Sequence, residues 1–135
     1  PCSEYLFLDN SACNLSSINL VKFLKAGPVD PADPQNFDWL AFAQVVRTML
    51  FAQEVLVDYA SYPTAAIAEN SHRFRPLGLG YANLGGFLMR LGVPYESELA
   101  QRWTCRITGA MQALALQTSI EMAAVKGSFL EWSQN

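Results

Sequence analysis

Two thiols and a carboxylate share the first thirteen residues of this chain. In PCSEYLFLDNSACNLSSINL, Glu4 stands two positions after Cys2, and Cys13 follows on the same short stretch. Only one other cysteine, Cys105, occurs in the sequence. On an extended backbone, residues two apart point the same way, so Cys2 and Glu4 share a side. On a loop tip, both reach one small substrate. A carboxylate beside a thiol raises the thiol pKa and suppresses the thiolate. The pair therefore suits a sulfur that works as a radical beside an acid that takes a proton. The plainer alternative is a small packed cysteine with a surface glutamate. Cys13 offers a second chemistry, pairing with another thiol to release two electrons as a disulfide. A core cysteine is the alternative there. A disulfide partner needs its Cα about 5.5 Å away; Cys2 and a thiol outside this chain are both open.

Composition narrows the setting. The 135 residues fit about one domain. With 51% apolar residues the chain can support a core. A net charge of -3 with no basic cluster argues against nucleic acid and membrane surfaces as partners. The cysteines and the single histidine, His72, are scattered, so no metal-ligand spacing appears. An odd thiol count with no export signal points to a reducing, cytoplasmic setting. No uninterrupted apolar run approaches the ~18 residues needed to span a bilayer. The first residues lack a basic n-region and an apolar h-region. The chain reads as an internal piece of something longer.

The elements that must position these groups can be read from pattern. Residues 5–9 and 12–20 are short, apolar or alternating, and predict extended segments, the second with one polar face. Residues 21–25 predict a short helical turn, and GPVDPADPQN at 27–36 a loop, because its prolines block helix and strand. Asp38 caps a strongly apolar helix over 39–60, whose apolar surround predicts burial on more than one side. Residues 64–70 predict a helical turn capped by Thr64. Arg75-Pro76 predicts an extended pair, followed by a strand near 76–81 and a helix near 82–91 closed by Gly92-Val93-Pro94. Ser97 caps a last helix over 98–125, about 40 Å long at ~1.5 Å per residue. The order strand, helix, strand, helix predicts an α/β arrangement that is helix-rich, with two or three short parallel strands and helices outside. So few strands leave open edges, which implies missing neighbours.

The opening segment resembles the active-site segment of ribonucleotide reductase large chains, closest to the class II, adenosylcobalamin-dependent enzymes. Pro1, Cys2 and Glu4 match that family's Asn-Pro-Cys-x-Glu. Cys13, Asn14, Leu15, Ser17, Asn19 and Leu20 match its second cysteine motif at the spacing seen in class II. RPLGLGYANLGGFLMRLGVPYES and EMAAVKGSF resemble later family segments in the same order, so the resemblance spans nearly the whole chain. It implies that residues 1–135 are an incomplete part of a catalytic, ten-stranded α/β barrel. It implies roles for three residues. Cys2 would be the thiyl radical that takes the 3′ hydrogen of a ribonucleotide, Glu4 the acceptor of the 3′-hydroxyl proton, and Cys13 one of two reducing thiols. It further implies adenosylcobalamin as radical source, dNTP or ATP effectors bound on parts outside this chain, and a thioredoxin-like reductant. The family's Asn before Pro1, the partner thiol of Cys13, the phosphate loop and the C-terminal reducing cysteines lie outside the chain.

Other motifs carry less. GLGYANLGG lacks the third glycine and the following acid of a dinucleotide site and is read as tight strand–helix packing. His72, Arg73 and Arg75 read as a solvated loop, Cys105 as packing, and Arg102 with Arg106 as one face of a helix toward solvent or a neighbouring segment. Two further readings stay open. One is a class I large chain served by a metal-radical partner subunit. The other is a non-catalytic helical interaction module.

Overall fold

The structure is a computed structural model, and it describes residues 5–27 and 30–134. Strand β1 (Asn14–Asn19) pairs in parallel with β2 (Leu77–Ala82), Asn14 lying opposite Leu77 and Asn19 opposite Ala82. Parallel neighbours need a long crossover. Here it runs through α1 (Trp39–Tyr59) and α2 (Ala65–Phe74). Helices α3 (Leu84–Leu91) and α4 (Glu98–Lys126) follow β2. The helix-rich α/β arrangement expected from sequence is present, with a two-stranded sheet among the described residues.

Helices α1, α2 and α4 each start at a side-chain cap. Asp38 accepts from Ala41 N–H at 3.0 Å, Thr64 from Ile67 N–H at 3.3 Å, and Ser97 from Ala100 N–H at 3.2 Å. Each satisfies one amide that the first helical turn leaves unpaired. The stretch 64–74 carries more than the expected turn; ten residues form a full helix. Residues 5–9 do not form the expected strand. No strand pairs with them here, and Asn10, at φ 53°, bends the chain out of the extended region.

One stripe of α1, including Phe42, Val46, Leu50, Gln53 and Val57, is buried against the sheet and α4. Its outer side is not: Leu40, Phe51 and Leu56 are all more than half exposed. The expected burial on several sides is therefore not met by this chain alone. Among the described helices α1 is long and apolar enough to cross a membrane by length and composition, with mean hydropathy 1.4. Arg47 and Glu54 interrupt the run, which is why the uninterrupted-run reading did not flag it.

Phe37 is the keystone of the core. It is fully buried and meets Phe42 at 5.2 Å, Phe23 at 5.6 Å and Phe87 at 5.7 Å between ring centroids. Edge-on rings at these distances gain beyond simple burial. The indoles of Trp39 and Trp103 close one side, and their N–H groups donate to Pro34 and Pro31 carbonyls at 2.8 and 2.9 Å. Thus the proline-rich loop is tied down through its own carbonyls.

Arg75 joins α2 to β2, and its backbone departs from the extended form expected before a proline. Its φ is 50°, a left-handed conformation that costs a non-glycine residue roughly 1–2 kcal/mol. Its guanidinium offsets that cost by binding Glu54 at 2.8 Å and Asp58 at 2.7 Å, with a third bond to the Glu54 carbonyl at 3.0 Å. Burial opposes the Arg75 charge, but Asp58 and Glu54 outweigh it and raise the guanidinium pKa. Lys126, at the end of α4, adds a bond to Glu54 at 3.1 Å. His72 and Arg73 lie on the last turn of α2, and Arg73 pairs with Glu131 at 2.6 Å. The region is an ion-paired helix end, not the solvated loop read from sequence.

Two outcomes follow from this packing. Phe37→Ala is expected to lower unfolding stability by about 3–5 kcal/mol, since the cavity sits where neighbouring rings cannot close in; equilibrium denaturation measures it. Asp58 is held below its ordinary value of 3.8, first by the Arg75 hydrogen bond and further by the nearby positive charges. Its contribution is present above that value and disappears as pH falls through the depressed one. The stability of the wild type should therefore fall more steeply below about pH 4 than that of Asp58→Asn, in acid titrations of unfolding.

Candidate active-site face of the sheet

The parallel register sorts side chains onto two faces, because opposed residues point the same way. Asn14, Ser16, Ile18, Leu77, Leu79 and Tyr81 face the helices; the Tyr81 hydroxyl bonds Thr108 on α4 at 2.9 Å. Leu15, Ser17, Asn19, Gly78, Gly80 and Ala82 make the other face. That face is open and nearly free of bulk on β2. Cys13, just before β1, belongs to it: its Sγ lies 3.3 Å from where a Cβ on Gly78 would stand.

Gln53 fixes the two strands to each other from behind. It is almost fully buried, and its Nε2 donates to the Asn14 carbonyl at 3.2 Å and the Gly78 carbonyl at 2.7 Å. Asn14 returns a bond from Nδ2 to the Gln53 carbonyl at 3.0 Å. Asn14, matched to a family motif in sequence, thus works on the helix side. At the far end of the strands, Asn83 Nδ2 donates to Asn19 Oδ1 at 3.2 Å. Asn83 itself is left-handed, at φ 67°, and a side chain on Gly86 would overlap its Oδ1. That agrees with reading GLGYANLGG as tight strand–helix packing.

The segment leading into Cys13 is moored to α2. Ser71, 1% exposed, accepts the Ala12 N–H at 3.2 Å. Asn70 donates to the Asp9 carbonyl at 3.2 Å. Phe7 stacks on Tyr5 and meets the edge of Phe74 at 5.1 Å. Burial raises the Tyr5 phenol pKa, and the charge of a Cys13 thiolate adds to it, so Tyr5 sits within electrostatic reach of that sulfur. Cys2 and Glu4, the other two predicted site residues, lie outside the described residues. Cys105 is exposed on α4, so it is not the packed cysteine expected; Trp103 and Ile107 on either side turn inward instead. Arg102 and Arg106 are exposed, as one of their two readings had it.

Sequence reasoning gave no site role to Ser71, Asn70 or Gln53. A polar residue in an apolar helix stripe is the one signal that could have marked Gln53; Ser71 carries none. A cavity of about 720 Å³ lies between α1, α4 and the segment after α4, with Glu54, Arg75, Leu77 and Lys126 in its wall. Leu77 points to the helix side, so this cavity is across the sheet from Cys13.

Residues 1–135 match the family described as ribonucleotide reductase, barrel domain. The chain belongs to that family. A vitamin B12-dependent ribonucleotide reductase of Rhodopirellula baltica is 49% identical over all of this chain, which covers 12% of that protein. Namesakes from Streptomyces avermitilis and Bradyrhizobium diazoefficiens are 42% and 41% identical over all of it, covering 14% and 10% of their lengths. The chain thus spans a small part of the relatives it matches. The described residues do not by themselves hold a corrinoid. Gly78, Gly80 and Ala82 offer little side chain to enclose so large a group, and the 720 Å³ cavity lies across the sheet from Cys13.

Ser71→Ala is expected to cost about 0.5–1.5 kcal/mol by removing the bond to the half-buried Ala12 N–H. It should also speed alkylation of Cys13, because the residue before it loses its tether. Mass-resolved thiol labelling, with Cys105 as reference, reads the change.

Proposed function

We propose that this chain is the part of a ribonucleotide reductase barrel that carries the radical-bearing loop and one reducing thiol. The parent enzyme would reduce ribonucleotides to 2′-deoxyribonucleotides for DNA synthesis, in the cytoplasm. The observation that carries this reading is Cys13 on the open face of the β1–β2 sheet, beside the glycines of β2, with the exposed Leu15 side chain as its neighbour over Gly78. A nucleotide sugar lying on that face can come close to sulfur. The full ten-stranded barrel would supply the remaining walls.

The names of the relatives support dependence on adenosylcobalamin in the parent. When bound, that cofactor supplies the radical by breaking its Co–C bond. The steps assigned to this chain start from Cys2 as a thiyl. Cys2 takes the 3′ hydrogen atom of the substrate while Glu4 accepts the 3′-hydroxyl proton, which needs contact within about 3 Å. The 2′ carbon–oxygen bond then breaks and water leaves. Cys13 and a second thiol of the parent give two hydrogens in all, one completing the water and one replacing the lost hydroxyl, and become a disulfide. Cys2 then returns the hydrogen atom to the 3′ carbon and is a thiyl again, and Glu4 returns the proton to the 3′ oxygen. A thioredoxin-like dithiol would reduce the disulfide, and nucleotide effectors would act on other parts of the parent.

The complete parent chain, assayed without a second subunit, should form deoxyribonucleotides only when adenosylcobalamin is added. Cys2→Ala and Glu4→Gln should each abolish or nearly abolish turnover. Activity that needs a separate metal-radical subunit would point to a class I enzyme. Undiminished product from Cys2→Ala would leave the interaction-module reading.

A further inference from the structure

We infer that Gly78 is a positioning residue for Cys13: its missing side chain is the space that lets the Cys13 sulfur hold its place on the open face. The inference rests on reading Cys13 as a reducing thiol. Gly78 is not there for backbone freedom. The glycines with positive φ among the described residues are Gly27, Gly92 and Gly127, so Gly78 has a conformation open to any residue. What sets it apart is proximity. A Cβ built on Gly78 would overlap Leu15 Cδ2, and would lie 3.3 Å from Cys13 Sγ and 3.4 Å from the Asn14 carbonyl oxygen.

Those neighbours differ in their power to yield. Leu15 is 64% exposed, and its branch can turn into solvent. The Asn14 carbonyl is held by Gln53, and the Ala12 amide on the other side of Cys13 is held by Ser71. With the backbone pinned at both ends, the displacement falls on Sγ. Ordinary contacts between heavy atoms have their optimum at about 3.5–4.0 Å, so the sulfur must shift. Disulfide formation tolerates little such shift, because the bond length and torsion are narrowly fixed. The affected step is the one in which two thiols become one disulfide and their hydrogens go to the substrate and to water.

Gly80 supplies the control from the same strand and the same face. A Cβ there meets nothing nearer than the Ser16 carbonyl oxygen at 4.0 Å. In the complete parent enzyme, Gly78→Ala should lower kcat by about tenfold or more with KM little changed, as small misplacements of reacting groups do. It should also reduce disulfide formed per single turnover and slow Cys13 alkylation relative to Cys105. Gly80→Ala, whose added methyl does not approach Cys13, should stay within about twofold of wild type in Cys13 alkylation relative to Cys105. Leu15→Ala/Gly78→Ala removes the leucine overlap and should keep the deficit; it also serves where Gly78→Ala alone does not fold. Restoration in the double variant, or equal Cys13 alkylation in Gly78→Ala and Gly80→Ala, would overturn the role of Gly78. Cys13→Ser separates the two levels. If it retains turnover, the reducing-thiol reading fails and takes this inference with it. If it is inactive while Gly78→Ala matches Gly80→Ala in that alkylation, the inference alone fails.

Discussion

The site depends on one amide. Gln53 reaches from α1 into the back of the sheet and bonds a carbonyl on each strand, Asn14 on β1 and Gly78 on β2. Those two residues flank the place where Cys13 and the bare β2 backbone meet. A polar group this deep is expensive unless it is bonded, and its bonds are stronger there than in water. Gln53 therefore does more than join helix to sheet. It sets the height of the two strands relative to each other at the point where Cys13 meets Gly78.

Around that point the chain divides its labour by face. The helix side of the sheet is filled by the aromatic core around Phe37 and by the α4 stripe from Ala100 to Met111. The open side carries small and polar residues apart from the exposed Leu15. The charged cluster of Arg75, Glu54, Asp58 and Lys126 lies on the helix side and anchors the entry to β2. Its strained arginine turns the chain straight from α2 into the strand that carries Gly78. The ionic and aromatic parts thus serve one task, holding two strands in register beneath a surface they do not touch.

Much of this was legible in the sequence, for reasons that can be named. Capping residues Asp38, Thr64 and Ser97 act locally, so their helices begin as expected. The long apolar stripes of α1 and α4 carry a strong periodic signal. The strand at 76–81 was found within a residue, because Pro76 bounds its start. What failed depended on distant partners. Residues 5–9 have strand composition, yet side-chain contacts with α2 hold them instead. Arg75 takes a left-handed turn that only its ion pairs with α1 can sustain. Cys105 sits between two buried residues on α4 but projects outward, a matter of helix rotation set by tertiary packing. At the site, Cys13 was visible from its motif; Ser71, Gln53 and the clearance around Gly78 arise from contacts between residues 25 to 65 positions apart, counting from the positions themselves, and no local pattern encodes them.

The paired glycines of β2 have a thermodynamic side as well. Each glycine inside a strand costs roughly 0.5–1 kcal/mol relative to alanine. Keeping two on one face makes this the thinnest wall the fold can build. Whatever lies against the β2 half of it meets mostly peptide planes, with Leu15, Ser17 and Asn19 of β1 alongside. Drift in surface residues leaves such a wall untouched, while a single added methyl thickens it.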